Sequence, residues 1–162
     1  MNVSFVKTGQ RRYSVEVSRD RYPDLRCGSI GYDDWLPHDL LHFVAEAEYG
    51  LDGSVFGDLA AGGNARIFIP MDGKLVAKIW RKERIKRTRL PDGRRSEVLA
   101  RELEHEWRAR TLPPHLQQTL DDLAARWHAL QVGGSLTLEW PRPEGRRHHR
   151  SSKRRHPATA RR

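Results

Sequence analysis

The sequence predicts an α+β domain, and three local patterns lead to this fold class. Residues 3–17 alternate apolar and polar side chains around a turn at Gly9, which is typical of a β-hairpin with one solvent-facing side. Residues 96–130 contain two amphipathic helix patterns separated by a pair of prolines. A glycine pair at 133–134 then precedes alternating residues at 136–140, which indicates a helix followed by a strand.

One further helix is predicted between the hairpin and these helices. Pro37 suits the first turn of a helix, where a missing N–H costs nothing, and Gly50 suits its end. We therefore expect a helix over residues 37–49. The preceding stretch, with Pro23, Gly28 and Gly31, is predicted to be a loop.

The middle of the chain predicts short elements. Residues 54–63 suggest one helical turn that ends at a glycine pair, and residues 65–70 are strand-like. A turn at Asp72-Gly73 would lead into a second hairpin with "KLVAKIW". Together these elements predict a small, mainly antiparallel sheet covered by about three helices.

The domain is expected to span residues 1–140, followed by a disordered basic tail. A chain of 162 residues fits one modest domain with a real core. From Pro141 onward the sequence has no apolar periodicity, so it cannot offset its ordering entropy by burial. We predict that residues 141–162 are disordered.

The net charge of +9 is concentrated in two segments. Lys+Arg against Asp+Glu is 8 to 11 in residues 1–77, 9 to 2 in 78–95, 4 to 7 in 96–140 and 9 to 1 in 141–162. The body of the domain is therefore close to neutral. The charge does not by itself make the whole protein a nucleic-acid binder.

The cysteine count and the opening residues predict a cytoplasmic protein. A single cysteine, Cys27, cannot form an internal disulfide and has no C-x-x-C pattern that would activate it. The opening "MNVSFVKTGQ" lacks the apolar run of a secretory signal or a membrane span. We expect no membrane partner.

The stretch "LPHDLLHFVAEAEYG" contains the candidate metal ligands His38, His42 and Glu46. At about 100° per residue, the two histidines share one helix face, which lies away from the apolar stripe. Two imidazoles at i and i+4 can hold one metal ion, as in H-E-x-x-H enzymes. Glu46 can pair with His42, but about 12 Å of helical rise separates it from His38. A third ligand must therefore come from elsewhere.

Asp39 is the candidate catalytic residue if a metal is bound. It occupies the position of the general-base glutamate in H-E-x-x-H, but its side chain is one methylene shorter. His105, another histidine beside carboxylates, lies opposite the apolar stripe of its helix and is expected to face water. The interpretation that we favour is that His38, Asp39, His42 and Glu46 form an ordinary solvated helix face, and a metal site is the alternative. No cofactor is predicted outright, and zinc or another divalent metal is what this pair would hold.

A nucleic-acid interface is a further hypothesis. The segment "KIWRKERIKRTRL" combines phosphate-binding cations with one stacking ring. Its candidate contacts are Lys78, Trp80, Arg81, Lys82, Arg84, Lys86 and Arg87. The two following helices are a poor helix-turn-helix, because the second carries Asp121 and Asp122 where a DNA-reading helix would be basic. Binding through this segment and the tail would recognise any polyanion without sequence preference.

Two blocks resemble a group of uncharacterised actinobacterial proteins. They are "LPHDLLHFVAEAEYGLDGSVFGDLAAGG" and "ARWHALQVGGSLTLEWP", and together they cover about a quarter of the chain. The resemblance implies a bacterial cytosolic protein and brings no catalytic residues with it.

From the residues themselves, we expect a small cytosolic binding or interaction protein. A metal-dependent hydrolase using His38 and His42 is the alternative, and an enzyme is the less favoured of the two.

Overall fold

The computed structural model describes residues 1–32, 35–72 and 90–141. Within them the chain forms five strands and four helices, which confirms the predicted α+β class. The strands are β1 (Asn2–Gly9), β2 (Arg12–Ser18), β3 (Leu25–Gly31), β4 (Ile69–Pro70) and β5 (Ser135–Glu139). The helices are α1 (His38–Tyr49), α2 (Val55–Ala60), α3 (Gly93–Ala109) and α4 (Pro114–Ala129).

The five strands form one antiparallel sheet in the order β4-β3-β2-β1-β5. The predicted hairpin is β1 and β2, with Phe5 opposite Val15 and, on its other side, opposite Leu136 of β5. These three side chains are buried on the helix-covered face. On the opposite face, the hydroxyls of Ser4 and Thr137 lie 2.8 Å apart and are exposed.

The prediction of a loop through Gly28 and Gly31 is wrong. Residues Leu25–Gly31 form β3, in which Leu25 pairs with Val17 and Cys27 pairs with Val15. Leu25 is buried, but it is the only large apolar side chain at the start of the strand. The strand is therefore specified by its pairing with β2 more than by an apolar alternation of its own.

The strand predicted over residues 65–70 is shorter than expected. Ala65 and Arg66 have positive φ values of 46° and 66°, a left-handed conformation that makes a turn. Only Ile69–Pro70 pairs with the sheet, as β4. The expected partner strand after Gly73 lies outside the described residues, and so does the tail predicted from residue 142 onward.

The predicted first helix is confirmed as α1. It ends at Gly50, whose φ of 65° and ψ of 42° place it in the left-handed region, and the N–H of Gly50 donates to Glu46 O. On its sheet side, Phe43 packs edge-on against Phe5, with ring centroids 6.2 Å apart. On its other side α1 packs along α3. Since α1 lies between two layers, every residue from Leu40 to Glu46 is buried.

A close contact at Gly53 fixes where α3 begins. The Asp92 carboxylate accepts the Gly53 N–H at 3.0 Å, and the Asp92 N–H donates to Gly53 O at 3.1 Å. A Cβ at Gly53 would lie 2.6 Å from Pro91 Cγ, so a side chain there would push the two segments apart. The turn after α1 is thereby fastened to the N-terminus of α3.

Among the described residues, no helix is both long enough and apolar enough to cross a lipid bilayer.

Candidate metal centre

Three side chains with metal-binding atoms meet where α1 packs against α3. They are His38 and His42 from α1 and Glu97 from α3, and one ligand atom from each lies within 4.8 Å of the other two. Glu97 Oε2 is 3.1 Å from His42 Nε2 and 3.6 Å from His38 Nε2. The structure therefore supplies the third candidate ligand that the sequence of α1 lacks.

The spacing of the two histidines on α1 orients their rings toward each other. The ring centroids are 4.7 Å apart, and the ring planes are at 85°. This arrangement follows from the i, i+4 spacing, which places the two side chains one above the other on the helix. Glu97 approaches from the first turns of α3, beside the buried Ser96.

Two of the three distances among these atoms are close to those of a tetrahedral metal site. Zinc–ligand bonds of about 2.0–2.2 Å at tetrahedral angles place neighbouring ligand atoms roughly 3.3–3.6 Å apart. The two distances to Glu97 Oε2, 3.1 Å and 3.6 Å, lie close to that range, and the ligand atoms of His38 and His42 lie within 4.8 Å of each other.

The expectation that His42 and Glu46 lie on a solvated helix face is wrong. His42 is 9% exposed and Glu46 is 0% exposed. The spacing of apolar residues in the sequence identifies one buried face of α1. The structure adds a second buried face, because α3 covers it. His38, at the N-terminal end of α1, retains partial exposure.

Glu46 lies near Nδ1 of His42, the ring nitrogen that is not beside Glu97, and it accepts several hydrogen bonds of its own. Its Oε2 accepts the N–H of Phe56 at 2.8 Å, and its Oε1 accepts the N–H of Val55 at 3.3 Å. Oε1 also accepts the hydroxyl of Ser96 at 2.7 Å. Glu46, a candidate ligand from its spacing, instead joins α1 to the N-terminus of α2 and to α3. The third candidate ligand beside the two histidines is Glu97.

Ser96 connects Glu46 to His42. Ser96 Oγ lies 2.7 Å from His42 Nδ1, and its hydroxyl hydrogen is directed to Glu46. Ser96, His42 and Glu97 thus have the order of a serine–histidine–acid triad. However, Ser96 is 1% exposed, so no substrate reaches its oxygen. We therefore assign Ser96 a supporting role for the imidazole and not a nucleophilic one.

The electrostatic environment favours the deprotonated forms of His42 and Glu97. Burial, followed by the neighbouring His38, lowers the pKa of His42, against the opposing effects of Glu97 and Asp39. Partial burial raises the pKa of Glu97, but the hydrogen bond from Arg101 and the two histidines outweigh it and lower the pKa overall. Neutral imidazole and carboxylate are the forms that coordinate a metal.

Arg101 holds the second oxygen of Glu97. Arg101 Nε donates to Glu97 Oε1 at 2.7 Å across one helical turn, which leaves Oε2 facing the histidines. His42 is held by Ser96 in the same way. Groups behind a ligand that fix its orientation are typical of protein metal sites.

Asp39, the candidate catalytic residue, is directed toward the sheet. Its Oδ2 accepts the hydroxyl of Tyr13 at 2.8 Å, and its N–H donates to the same hydroxyl at 3.4 Å. Asp39 does not belong to the group of three ligand atoms. Its side chain stabilises the start of α1, where its charge also suits the helix dipole.

The other candidate residues lie elsewhere. His105 is exposed on α3, as the sequence predicts, and eight residues place it about 12 Å along the helix from Glu97. The residues predicted to contact nucleic acid all lie outside the described part of the chain: Lys78, Trp80, Arg81, Lys82, Arg84, Lys86 and Arg87.

Two residues of this site, Ser96 and Glu97, were not found from the sequence. The available signal was an acid in the first turns of an amphipathic helix, next to a small residue on the buried face. That pattern is common in helices and does not show which neighbouring helix will approach.

Comparisons with protein-family models, with curated proteins and with solved structures find no match for this chain.

Proposed function

We propose that this protein binds a divalent transition-metal ion, of which zinc is the best fit, through His38, His42 and Glu97. One observation carries the proposal: ligand atoms from two helices converge at separations close to those of a tetrahedral site. Glu97 Oε2 is an acceptor, and so is His42 Nε2, 3.1 Å away, when the neutral imidazole carries its proton on Nδ1. A cation bound to both would satisfy them together.

The donor set argues for zinc over the hard cations. Two imidazoles and one carboxylate suit zinc and its neighbours among the transition metals. Calcium and magnesium prefer sites built from oxygen atoms alone.

Metal-dependent hydrolysis is the second candidate function. Three protein ligands with a fourth position left for water are the pattern of catalytic zinc sites. Glu97, with a side chain 40% exposed, lies at the solvent side of the cluster. Hydrolysis of an activated ester, measured with and without zinc, tests this function.

We place this function in the bacterial cytoplasm as part of the same proposal. Cys27 is the only cysteine of the chain and is a free thiol in the structure, as suits a reducing compartment. The resemblance of two sequence blocks to actinobacterial proteins supports the bacterial origin.

Calorimetric titration of the full-length protein with zinc tests metal binding. We expect one saturable site at micromolar concentration or tighter in the wild type. Because each change removes one of three ligands, His42→Ala and Glu97→Gln should abolish that site. Circular dichroism of each variant establishes that it is folded.

Two matched variants control for zinc bound elsewhere on the surface. His105→Ala and Glu102→Gln change one histidine and one glutamate on exposed positions of α3. Both should keep the wild-type site. A wild type without saturable zinc binding refutes the proposal, and so does binding that survives both His42→Ala and Glu97→Gln.

A further inference from the structure

The hydrogen bonds behind His42 determine which of its ring nitrogens carries the proton. Each oxygen of Glu46 accepts a backbone N–H, and the hydroxyl of Ser96 donates to Oε1 at 2.7 Å. Burial raises the pKa of Glu46, but these hydrogen bonds oppose that rise and favour the carboxylate form. Ser96 Oγ has then used its only hydrogen. The contact of 2.7 Å between Ser96 Oγ and His42 Nδ1 must therefore be donated by the imidazole.

We propose that Ser96 and Glu46 are positioning residues that hold His42 in the Nδ1–H tautomer and leave Nε2 free to bind the metal. This inference rests on the proposed function for its purpose, whereas the tautomer can be measured without any metal. Neither residue touches the ion. They act through His42, as the carboxylates behind zinc-bound histidines do in other sites.

The alternative tautomer would close the site. A neutral His42 with its proton on Nε2 would donate to Glu97 Oε2, which lies 3.1 Å away. That hydrogen bond would occupy the ligand atoms of both residues and would have to break before a metal could bind. Because Ser96 accepts the hydrogen bond from Nδ1–H, His42 has no proton on Nε2 to donate to Glu97.

Ser96 and Glu46 are buried, which strengthens their effect on the tautomer of His42. Glu46 is 0% exposed and Ser96 is 1% exposed, so water does not compete for their hydrogen bonds. Losing a buried partner leaves a polar group unsatisfied, which is costly in a low-dielectric interior. At the surface, the same two residues would have little effect on which tautomer His42 adopts.

Long-range proton–nitrogen NMR correlations on nitrogen-labelled protein, kept free of metal with a chelator, report the tautomer of His42 directly. We expect the Nδ1–H form in the wild type. In Ser96→Ala we expect the Nε2–H form, together with a zinc affinity weakened by about 10- to 100-fold. Ser96→Thr, which keeps the hydroxyl, should restore both the tautomer and the affinity.

A second buried serine provides the control. Ser14 is 4% exposed on β2, so Ser14→Ala removes a buried hydroxyl that is not bonded to His42 or Glu46. It should change neither the tautomer of His42 nor the zinc affinity. A wild type in the Nε2–H form overturns the proposal, as does Ser96→Ala with an unchanged tautomer. If Ser96→Ala does not fold, the wild type and Ser96→Thr still decide the question. The expected tautomers without zinc binding would support the positioning role and refute the proposed function.

Discussion

The hydroxyl of Tyr13 is both a donor to Asp39 and an acceptor from it. Tyr13 Oη lies 2.8 Å from Asp39 Oδ2 and 3.4 Å from the backbone nitrogen of Asp39. Tyr13 is fully buried in β2, so this pair connects the sheet to the first turn of α1. Burial, reinforced by Asp39, raises the pKa of Tyr13 and keeps its hydroxyl protonated.

Removing that hydroxyl should destabilise the fold without affecting metal binding. Tyr13→Phe leaves the Asp39 carboxylate without its partner, so we expect the free energy of unfolding to fall by about 1–3 kcal/mol. Urea unfolding measures the change. Tyr32→Phe is the control, because the Tyr32 hydroxyl donates to Gln10 O at an exposed position and should matter by less than about 0.5 kcal/mol. A loss of zinc affinity in Tyr13→Phe would contradict the separation of the two sites.

Replacing Glu46 by its amide should also destabilise the protein. Glu46→Gln keeps the shape but turns one acceptor oxygen into an NH₂ donor, and both oxygens face backbone N–H groups. We expect a loss of about 1–3 kcal/mol in the free energy of unfolding. Glu102→Gln, at an exposed position on α3, should change it by less than about 0.5 kcal/mol. Equal effects in the two variants would show that Glu46 is not a buried acceptor.

His42 should make the metal-free protein sensitive to acid. Because burial, followed by His38, lowers its pKa in the folded state, the unfolded chain binds more protons as the pH falls below about 6.5. Stability is therefore present above that pH and is lost as the pH falls through the folded pKa. We expect the difference in unfolding free energy between wild type and His42→Gln to shrink between about pH 7 and pH 5, by at most about 1.4 kcal/mol per pH unit. Urea unfolding in the presence of a chelator measures it, and a constant difference contradicts the prediction.

The basic segment and the tail predict a salt-dependent affinity for nucleic acid. Residues 78–95 and 141–162 each carry 9 basic groups, and phosphate neutralisation by such groups releases counterions. We expect any binding of labelled DNA or RNA to weaken on the order of tenfold or more between about 50 and 200 mM salt. Changing Arg81, Lys82, Arg84 and Arg87 to Glu should weaken it further. Binding insensitive to salt, or untouched by these changes, contradicts the prediction.

The elements that the sequence predicts correctly are those whose ends are determined by the residues at those ends. Pro37 and Gly50 define α1 through their own backbone requirements, and the sequence places its bounds within one residue. The sequence does not predict β3, because β3 forms by pairing with β2. Such pairing does not require a clear apolar alternation in the strand itself, and β3 contains Gly28.

The same distinction applies to the candidate metal site. The spacing of His38 and His42 is a property of one helix and can be derived from the sequence. Glu97 is 55 residues from His42, and their meeting depends on how α3 docks on α1. That docking also explains why the predicted solvent face of α1 is buried, since periodicity in one helix does not reveal a second covering layer.

The position of Glu46 has a consequence for how this part of the protein opens. One carboxylate on α1 binds Ser96 of α3 and the first two amides of α2. α2 has only six residues, and isolated helices shorter than about 12–15 residues are marginal in water. α2 should therefore unfold when α1 and α3 separate. Its first turn should not fray alone, because fraying would remove two hydrogen bonds from the buried Glu46 carboxylate. In hydrogen–deuterium exchange, the amides of Val55 and Phe56 should behave as members of one cooperative unit with the centre of α1, despite lying at a helix end.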